Sequence, residues 1–164
     1  MTRKVTRAVA RIKHGLQRTL FVGNLDALRD WGHAKDYVVG MHALMQLGEP
    51  HDAVLATGEA HSVRELCELA FEAAGLPLEW RGERGSVLET AVLKGSSTGA
   101  AAEAAPVIAI DVEYFRPTEV DLLLGDPAKA RKLIAWAPAT TFDALVREMV
   151  AADLELVDKG DLQS

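Results

Sequence analysis

Apolar residues recur along the chain with two different periods. A helical period predicts α-helices over residues 3–14, 34–47, 63–74, 127–136 and 142–157. Short apolar runs between the helices predict β-strands over residues 19–23, 53–57, 78–80 and 107–112. Because helices and strands alternate along the chain, we expect an α/β fold.

Turn and capping residues support these boundaries. Ser62 and Glu65 stand three positions apart in "SVRE", the pattern of a capping box, in which each side chain satisfies a backbone amide at the helix start. Gly15 follows the first helix, and glycine readily adopts the left-handed conformation that ends many helices. Asp126 followed by Pro127 predicts another helix start.

The segment "KGSSTGAAAEAAP", residues 94–106, differs in composition from the rest of the chain. It is rich in glycine, serine and alanine and has almost nothing to bury, which predicts a flexible loop. We therefore expect residues 1–93 and 107–158 to form one lobe and residues 159–164 to form a frayed tail.

Composition narrows the functional class. The 164 residues carry a net charge of −6, which argues against non-specific nucleic-acid binding through a basic surface. No apolar run approaches the roughly 20 residues of a transmembrane helix, and the N-terminus lacks the apolar core of a secretory signal. The single cysteine, Cys67, excludes an intramolecular disulfide and fits a reducing compartment. We expect a cytoplasmic protein without nucleic-acid or membrane partners.

The stretch "NLDALRDWGHAKDYV", residues 24–38, concentrates charged and aromatic side chains. Its Arg29, and Arg116 in "EYFRPTEVD", are predicted to lie in loops or at strand ends, where ligand sites concentrate. Two converging guanidinium groups would suit a diphosphate, because each planar fork matches a pair of phosphate oxygens. The alternative is solvated ion pairing with carboxylates such as Asp30 and Glu119, and the spacing alone favours that alternative.

The sequence lacks several catalytic motifs. No G-x-G-x-x-G turn follows an apolar strand, and neither Tyr37 nor Tyr114 is followed four residues later by lysine. There is no P-loop and no nucleophile elbow. The five histidines lack the spacing of a metal site. The residues offer binding groups without a cofactor site or a catalytic pair.

Five segments together resemble the GDP-mannose 4,6-dehydratase family, a nucleotide-sugar branch of the extended short-chain dehydrogenase/reductases. They are "VTRAVARI", "GNLDALRDWGHAKDYV", "ATGEAHSVREL", "YFRPTEVDLLLGDPAKA" and "VREMVAADLEL". The resemblance runs from about Thr2 to Val157, apart from the region 81–106, and concerns only the C-terminal half of the family. It implies an α/β substrate-binding lobe with remnant Rossmann strands and without the N-terminal cofactor domain.

The resemblance also implies an activity. The family enzymes are NADP-dependent lyases that convert GDP-mannose to GDP-4-dehydro-6-deoxy-D-mannose, a precursor of GDP-fucose and related deoxyhexoses. Their N-terminal Rossmann domain supplies the glycine-rich turn for NADP and the Ser/Thr, Glu and Tyr-x-x-x-Lys group that carries out the chemistry. We therefore expect this chain to supply the GDP-mannose-binding side and to be inactive alone. By the same resemblance we expect a homo-oligomer or association with a full-length relative.

The substrate contacts implied by the resemblance can be named. We expect GDP-mannose to contact Lys4, Asn24, Arg29, Arg116 and Glu119, with the two arginines opposite the diphosphate. No residue of the chain is expected to be catalytic, to bind the cofactor or to ligate a metal. We expect three neighbours of Arg29 to hold its loop in place, namely Asp30, Trp31 and His33.

Some positions depart from the family pattern. His42 stands where the family usually has tryptophan, Gly40 is a poor helix former, and the segment 94–106 is unlike the family. Three interpretations therefore remain open. The chain is the C-terminal part of a dehydratase, a catalytically inactive nucleotide-sugar-binding module that stands alone, or a degenerate truncation that folds poorly.

Overall fold

The computed structural model describes residues 1–95, 105–114, 120 and 122–161. All five predicted helices form near their predicted positions. They are α1 (Thr2–Lys13), α2 (Ala34–Met45), α3 (Val63–Ala73), α4 (Ala128–Ile134) and α5 (Phe142–Asp158). A short 3-10 turn spans Val112–Tyr114. None of the helices in the described residues is long and apolar enough to cross a membrane.

Two small sheets accompany the helices. Their strands are β1 (Leu20–Val22), β2 (Leu28–Arg29), β3 (His61–Ser62), β4 (Leu78–Arg81), β5 (Thr90–Leu93), β6 (Ile108–Ile110) and β7 (Leu122–Leu123). The larger sheet has the order β1-β6-β5-β4, and the smaller sheet has the order β3-β2-β7. Each sheet contains one parallel pair, β1 with β6 and β2 with β7. The predicted α/β class is confirmed.

The core lies between α1, α3, α5 and the larger sheet. Val5 and Val9 of α1, Leu66 of α3, Val150 of α5 and Ile108 of β6 are buried there. The predicted capping box opens α3, with the Ser62 hydroxyl accepting from the Glu65 amide and the Glu65 carboxylate accepting from the Ser62 amide. This cap starts α3 directly after β3 of the smaller sheet.

Gly40 lies where α2 packs against its neighbours. A Cβ atom at this position would stand 2.9 Å from the Leu55 side chain and 2.9 Å from Nε1 of Trp136. That indole nitrogen already donates a 2.8 Å hydrogen bond to the Asp36 carbonyl. Close packing therefore accounts for a glycine that is unfavourable for the helix itself.

The predicted strand at residues 53–57 was wrong. In the described part of the chain, residues 53–56 form no backbone hydrogen bond, although the run is apolar. The next two amides, of Thr57 and Gly58, donate to the Asp30 carboxylate instead of to a neighbouring strand. An apolar run in the sequence therefore did not by itself determine strand pairing.

Other parts of the prediction missed or fall outside the structure. Strands β2, β3 and β7 have two residues each, too few to show a period, and β5 was also missed. Most of the predicted 94–106 loop and residues 162–164 of the predicted tail lie outside the described residues. Asp126 accepts from the Ala128 amide at 2.9 Å, as a cap would, but Pro127 occupies the N-cap position.

Candidate functional site

A tight turn leads from β1 towards Arg29. At Gly23 a Cβ atom would clash with the Tyr114 carbonyl group, so this position requires glycine. The Asn24 side chain then accepts a 2.9 Å hydrogen bond from the Asp26 amide, which closes an Asx turn. Asn24 is half-buried at this turn.

Arg29 lies on the central strand of the smaller sheet. It is paired with His61 of β3 on one side and with Leu123 of β7 on the other. Its Nη1 donates to the Leu28 carbonyl at 2.8 Å and to the Val120 carbonyl at 2.7 Å. The side chain lines an open pocket of about 410 Å³. The sheet and the two carbonyls thus fix where the guanidinium lies.

Asp30 ties together three separate segments. Its carboxylate accepts from the Thr57 amide at 3.0 Å, the Thr57 hydroxyl at 2.7 Å, the Gly58 amide at 3.0 Å and the Gly125 amide at 3.4 Å. Burial raises the pKa of Asp30, but these hydrogen bonds together outweigh it and hold the pKa below its ordinary value. Asp30 therefore fixes the backbone around the pocket by accepting hydrogen bonds from its amides.

Trp31 and His33 also hold the loop that follows Arg29. The Trp31 ring stacks on Phe142 with centroids 5.6 Å apart. His33 caps α2 by accepting a 3.0 Å hydrogen bond from the Lys35 amide, and its Nε2 lies 3.4 Å from the Glu148 carboxylate. With Asp30, these residues make the loop-holding contacts expected of them.

Lys4 lies at a second, basic groove. Its Nζ stands 3.6 Å above the centroid of the Tyr114 ring, a cation–π contact. Burial lowers the pKa of Lys4, and the nearby Asp111 carboxylate opposes this shift. The groove holds about 320 Å³ and is also lined by Arg7 and Arg11 of α1. The groove therefore combines positive charge with an aromatic ring.

Three of the five residues expected to contact the substrate, Lys4, Asn24 and Arg29, lie within the described residues. Lys4 contacts Tyr114, whose carbonyl group in turn lies against Gly23, beside Asn24. Arg29 holds the carbonyl of Val120. Arg116 and Glu119 belong to residues 115–119, outside the described residues. The expected meeting of the two arginines therefore stays a prediction.

The sequence did not reveal an ionic cluster next to the Asn24 turn, in which Arg64 and Glu89 are buried and Asp26 and Arg84 are exposed in part. Arg64 of α3 contacts Glu89 at 2.6 Å and Asp26 at 3.2 Å, and Arg84 contacts Asp26 at 3.0 Å. The partners are far apart in the sequence, so spacing could not reveal them. The sequence did contain one indication of the cluster. Arg64 lies in the first turn of a predicted helix, where a cation is unfavourable unless it has a partner.

Other candidate chemistries find no support in the described residues. Burial raises the pKa of the Cys67 thiol to about 12, which makes it a poor nucleophile. No group of three or more His, Cys, Asp or Glu side chains within the described ranges could hold a metal ion.

The sequence of the chain matches known proteins over nearly its whole length. Residues 1–149 match the family described as GDP-mannose 4,6 dehydratase. The GDP-mannose 4,6 dehydratase of Dictyostelium discoideum is 47% identical over 161 residues, which cover 98% of this chain and 43% of that protein. The Vibrio cholerae enzyme is 48% identical over 158 residues (94% and 42%), and the Homo sapiens enzyme is 47% identical over 157 (96% and 40%). The chain thus spans about two fifths of the length of these relatives.

Solved structures show the same fold. RMD from Pseudomonas aeruginosa complexed with NADPH matches with a TM-score of 0.69 at 22% identity, over 94% of this chain and 42% of that chain. UDP-glucose 4-epimerase from Bifidobacterium longum in complex with NAD+ and UDP matches with a TM-score of 0.62 at 20% identity, over 96% and 40%. From the family match over residues 1–149, the chain belongs to the GDP-mannose 4,6-dehydratase family of enzymes.

Proposed function

We propose that this chain forms the GDP-mannose-binding side of a GDP-mannose 4,6-dehydratase. The reaction is that of a lyase, from GDP-mannose to GDP-4-dehydro-6-deoxy-D-mannose. One observation carries the proposal. Lys4 contacts Tyr114 and Arg29 contacts Val120. Tyr114 and Val120 are the residues directly before and after the segment 115–119, which contains Arg116 and Glu119.

Arg29 suits the diphosphate by its chemistry and its anchorage. A guanidinium presents five N–H donors in a planar fork that matches phosphate oxygens. In Arg29, Nη1 donates to two backbone carbonyls, which orients the fork before any ligand arrives. Preorganised donors lose less entropy on binding. Lys4 and Asn24 would then orient the nucleoside or its ribose.

The short segment between Tyr114 and Val120 limits where Arg116 can lie. The five residues 115–119 join Tyr114 to Val120 through six Cα–Cα steps, which span at most about 20 Å when the chain is fully extended. In the sequence, Arg116 is two residues after Tyr114, which contacts Lys4, and four residues before Val120, which contacts Arg29. We infer that it meets the diphosphate opposite Arg29 and that Glu119 contacts the nucleoside or ribose.

We also propose that the described residues of this chain do not form an NADP site. Strands β2, β3 and β7 precede α-helices in the described chain, and none leads into its helix through a glycine-rich turn. We infer that NADP and the catalytic groups are supplied by a polypeptide segment outside these 164 residues. The chain alone is then expected to bind GDP-mannose but not to convert it.

The larger sheet joins the parts of the chain that come before and after residues 94–106. Strand β6, which comes after the 94–106 segment, lies between β1 and β5, which come before it. We therefore propose that residues 1–93 and 107–158 act as one substrate-binding lobe.

Calorimetric titration with GDP-mannose tests the proposal. We expect Arg29→Ala and Arg116→Ala each to weaken binding by about 1.5–3 kcal/mol, the scale of a hydrogen bond to a charged group. Arg147→Ala, at an exposed arginine of α5, is the matched control and should bind like the unaltered chain. Unchanged affinity in both site variants would remove the pocket assignment. A chain that unfolds cooperatively but binds no GDP-mannose would remove the proposed function itself.

A further inference from the structure

Arg64 occupies a position that is unfavourable for a cation in two ways. It is the second residue of α3, where the positive end of the helix dipole repels it. It is also only 7% exposed, and burying a charge carries a desolvation penalty. The stability of α3 alone does not explain an arginine at this position.

The guanidinium joins two segments that are distant in the sequence. Its Nη1 and Nη2 donate to the two carboxylate oxygens of Glu89, at 2.6 and 3.0 Å. Its Nε donates to the Asp26 carboxylate at 3.2 Å, and its Cζ lies 4.5 Å from the centroid of the Trp80 ring. Glu89 also accepts from the Gly85 amide at 2.8 Å, so Arg64 is linked to the whole β4–β5 turn.

The first backbone amides of α3 also form hydrogen bonds with the turn that follows Asn24. The Val63 amide donates to the Ala27 carbonyl at 3.2 Å, and the Arg64 amide donates to the Leu25 carbonyl at 2.8 Å. These amides lie in the first helical turn and have no partner within the helix. The turn between Asn24 and Arg29 is thus held by two backbone contacts and by two guanidinium groups on Asp26, that of the buried Arg64 and that of the exposed Arg84.

We propose that Arg64 is a positioning residue for nucleotide binding, because its grip on Asp26 sets the turn that carries Asn24 and leads into Arg29. It touches neither the ligand nor the reacting atoms. By joining Asp26 to Glu89 it also makes the β4–β5 turn part of the same support. This inference rests on the proposed function.

The test separates positioning from general stability. Arg64→Met removes the guanidinium and leaves the Glu89 carboxylate buried with one backbone donor, so the unfolding midpoint should fall. Arg64→Met with Glu89→Gln removes both charges of the buried pair, and such replacements are often tolerated. We expect the double variant to recover most of the lost unfolding midpoint, yet to bind GDP at least tenfold more weakly than the unaltered chain.

The contrary outcome is equally clear. If GDP affinity returns together with the unfolding midpoint in the double variant, Arg64 has a stabilising role only and the inference is overturned. Arg147→Met, the same substitution at an exposed arginine, is the control and should leave GDP affinity unchanged.

Hydrogen exchange distinguishes this inference from the proposed function. If the unaltered chain binds no GDP, the proposed function fails, and the anchoring of the turn is then measured directly. In the double variant the amides of residues 26, 63 and 64 should exchange at least tenfold faster, while the amides of α5 should not change. Unaltered exchange at those three amides would overturn the anchoring role of Arg64.

Discussion

Two regions of this chain are held together by different forces. In the region of α1, α3, α5 and the larger sheet, side chains such as Val5 and Val150 are fully enclosed by apolar neighbours. In the region of α2, residues 53–57 and β7, apolar side chains are largely exposed, with Met45 at 81%. The first region is stabilised by hydrophobic burial and the second depends much more on polar contacts.

The polar contacts of the second region come from a few carboxylates. Asp30 accepts from the backbone of residues 57, 58 and 125. Asp36 accepts from the amides of Ala139 at 3.1 Å and Thr140 at 2.9 Å, while its own carbonyl accepts from Trp136. Both carboxylates belong to the stretch 24–38 that contains Arg29, and Asp30 also lines the Arg29 pocket. The charged residues of the stretch 24–38 therefore have a structural role, beside the binding role proposed for Arg29.

The largest effect should come from removing apolar volume in the first region. Leu66→Ala, at a side chain with no exposed surface, should lower the free energy of unfolding by about 2–5 kcal/mol. Leu88→Ala is the matched control, because Leu88 is 80% exposed, and it should change that free energy by less than about 0.5 kcal/mol. Urea denaturation measures both. Equal losses in the two variants would contradict the contrast between buried and exposed apolar side chains.

A smaller loss should follow from removing the charge that organises the second region. Asp30→Asn weakens hydrogen bonds to a charged acceptor, and we expect the free energy of unfolding at pH 7 to fall by about 1.5–3 kcal/mol. Asp52→Asn, at an exposed carboxylate, serves as the control and should stay within about 0.5 kcal/mol. Urea denaturation of both variants makes the comparison.

The stability difference between the unaltered chain and Asp30→Asn should depend on pH. The pKa of Asp30 is held below its ordinary value of 3.8, so the folded state favours the charged carboxylate. Its stabilisation is complete above that ordinary value and is lost as the pH falls through the lower, folded-state pKa. The difference between the unaltered chain and Asp30→Asn should therefore shrink in acid. A difference that stays constant from pH 7 to pH 3 would show that the charge of Asp30 is not responsible.

How much the sequence predicts also differs between the two regions. The helices of the first region were predictable because amphipathic spacing and caps such as Ser62–Glu65 are local signals. In the second region, residues 53–57 looked like a strand, yet whether an apolar run pairs depends on neighbours that spacing does not reveal. Gly40 looked unfavourable for the same reason, since the clash it avoids involves Leu55 and Trp136.

The candidate site shows the same division. The resemblance to a family pointed to Lys4, Asn24 and Arg29, and the structure adds Tyr114 and Val120 as the groups they lie against. Sequence spacing could not predict the Arg64 cluster, because Arg64 is 38 residues from Asp26 and 25 residues from Glu89. Contacts across such distances follow only from the folded chain.

The smallest effect should come from a polar contact at the edge of the first region. His14 follows α1, where its Nδ1 lies 2.8 Å from the Ala10 carbonyl and its Nε2 lies 2.9 Å from the Asp158 carboxylate of α5. The hydrogen bond to Ala10, and then the one to Asp158, raise the pKa of His14 above its ordinary value. The raised pKa means that this contact stabilises fully below the ordinary pKa and is lost as the pH rises through the folded-state value.

NMR titration of the imidazole should show the raised pKa of His14, and Asp158→Asn should bring it down. Because His14 is exposed and buried apolar side chains already hold α1 against α5, the unfolding midpoint should change little in that variant. A large drop in the midpoint would mean that polar contacts also govern the first region, and the contrast between the two regions would then no longer hold.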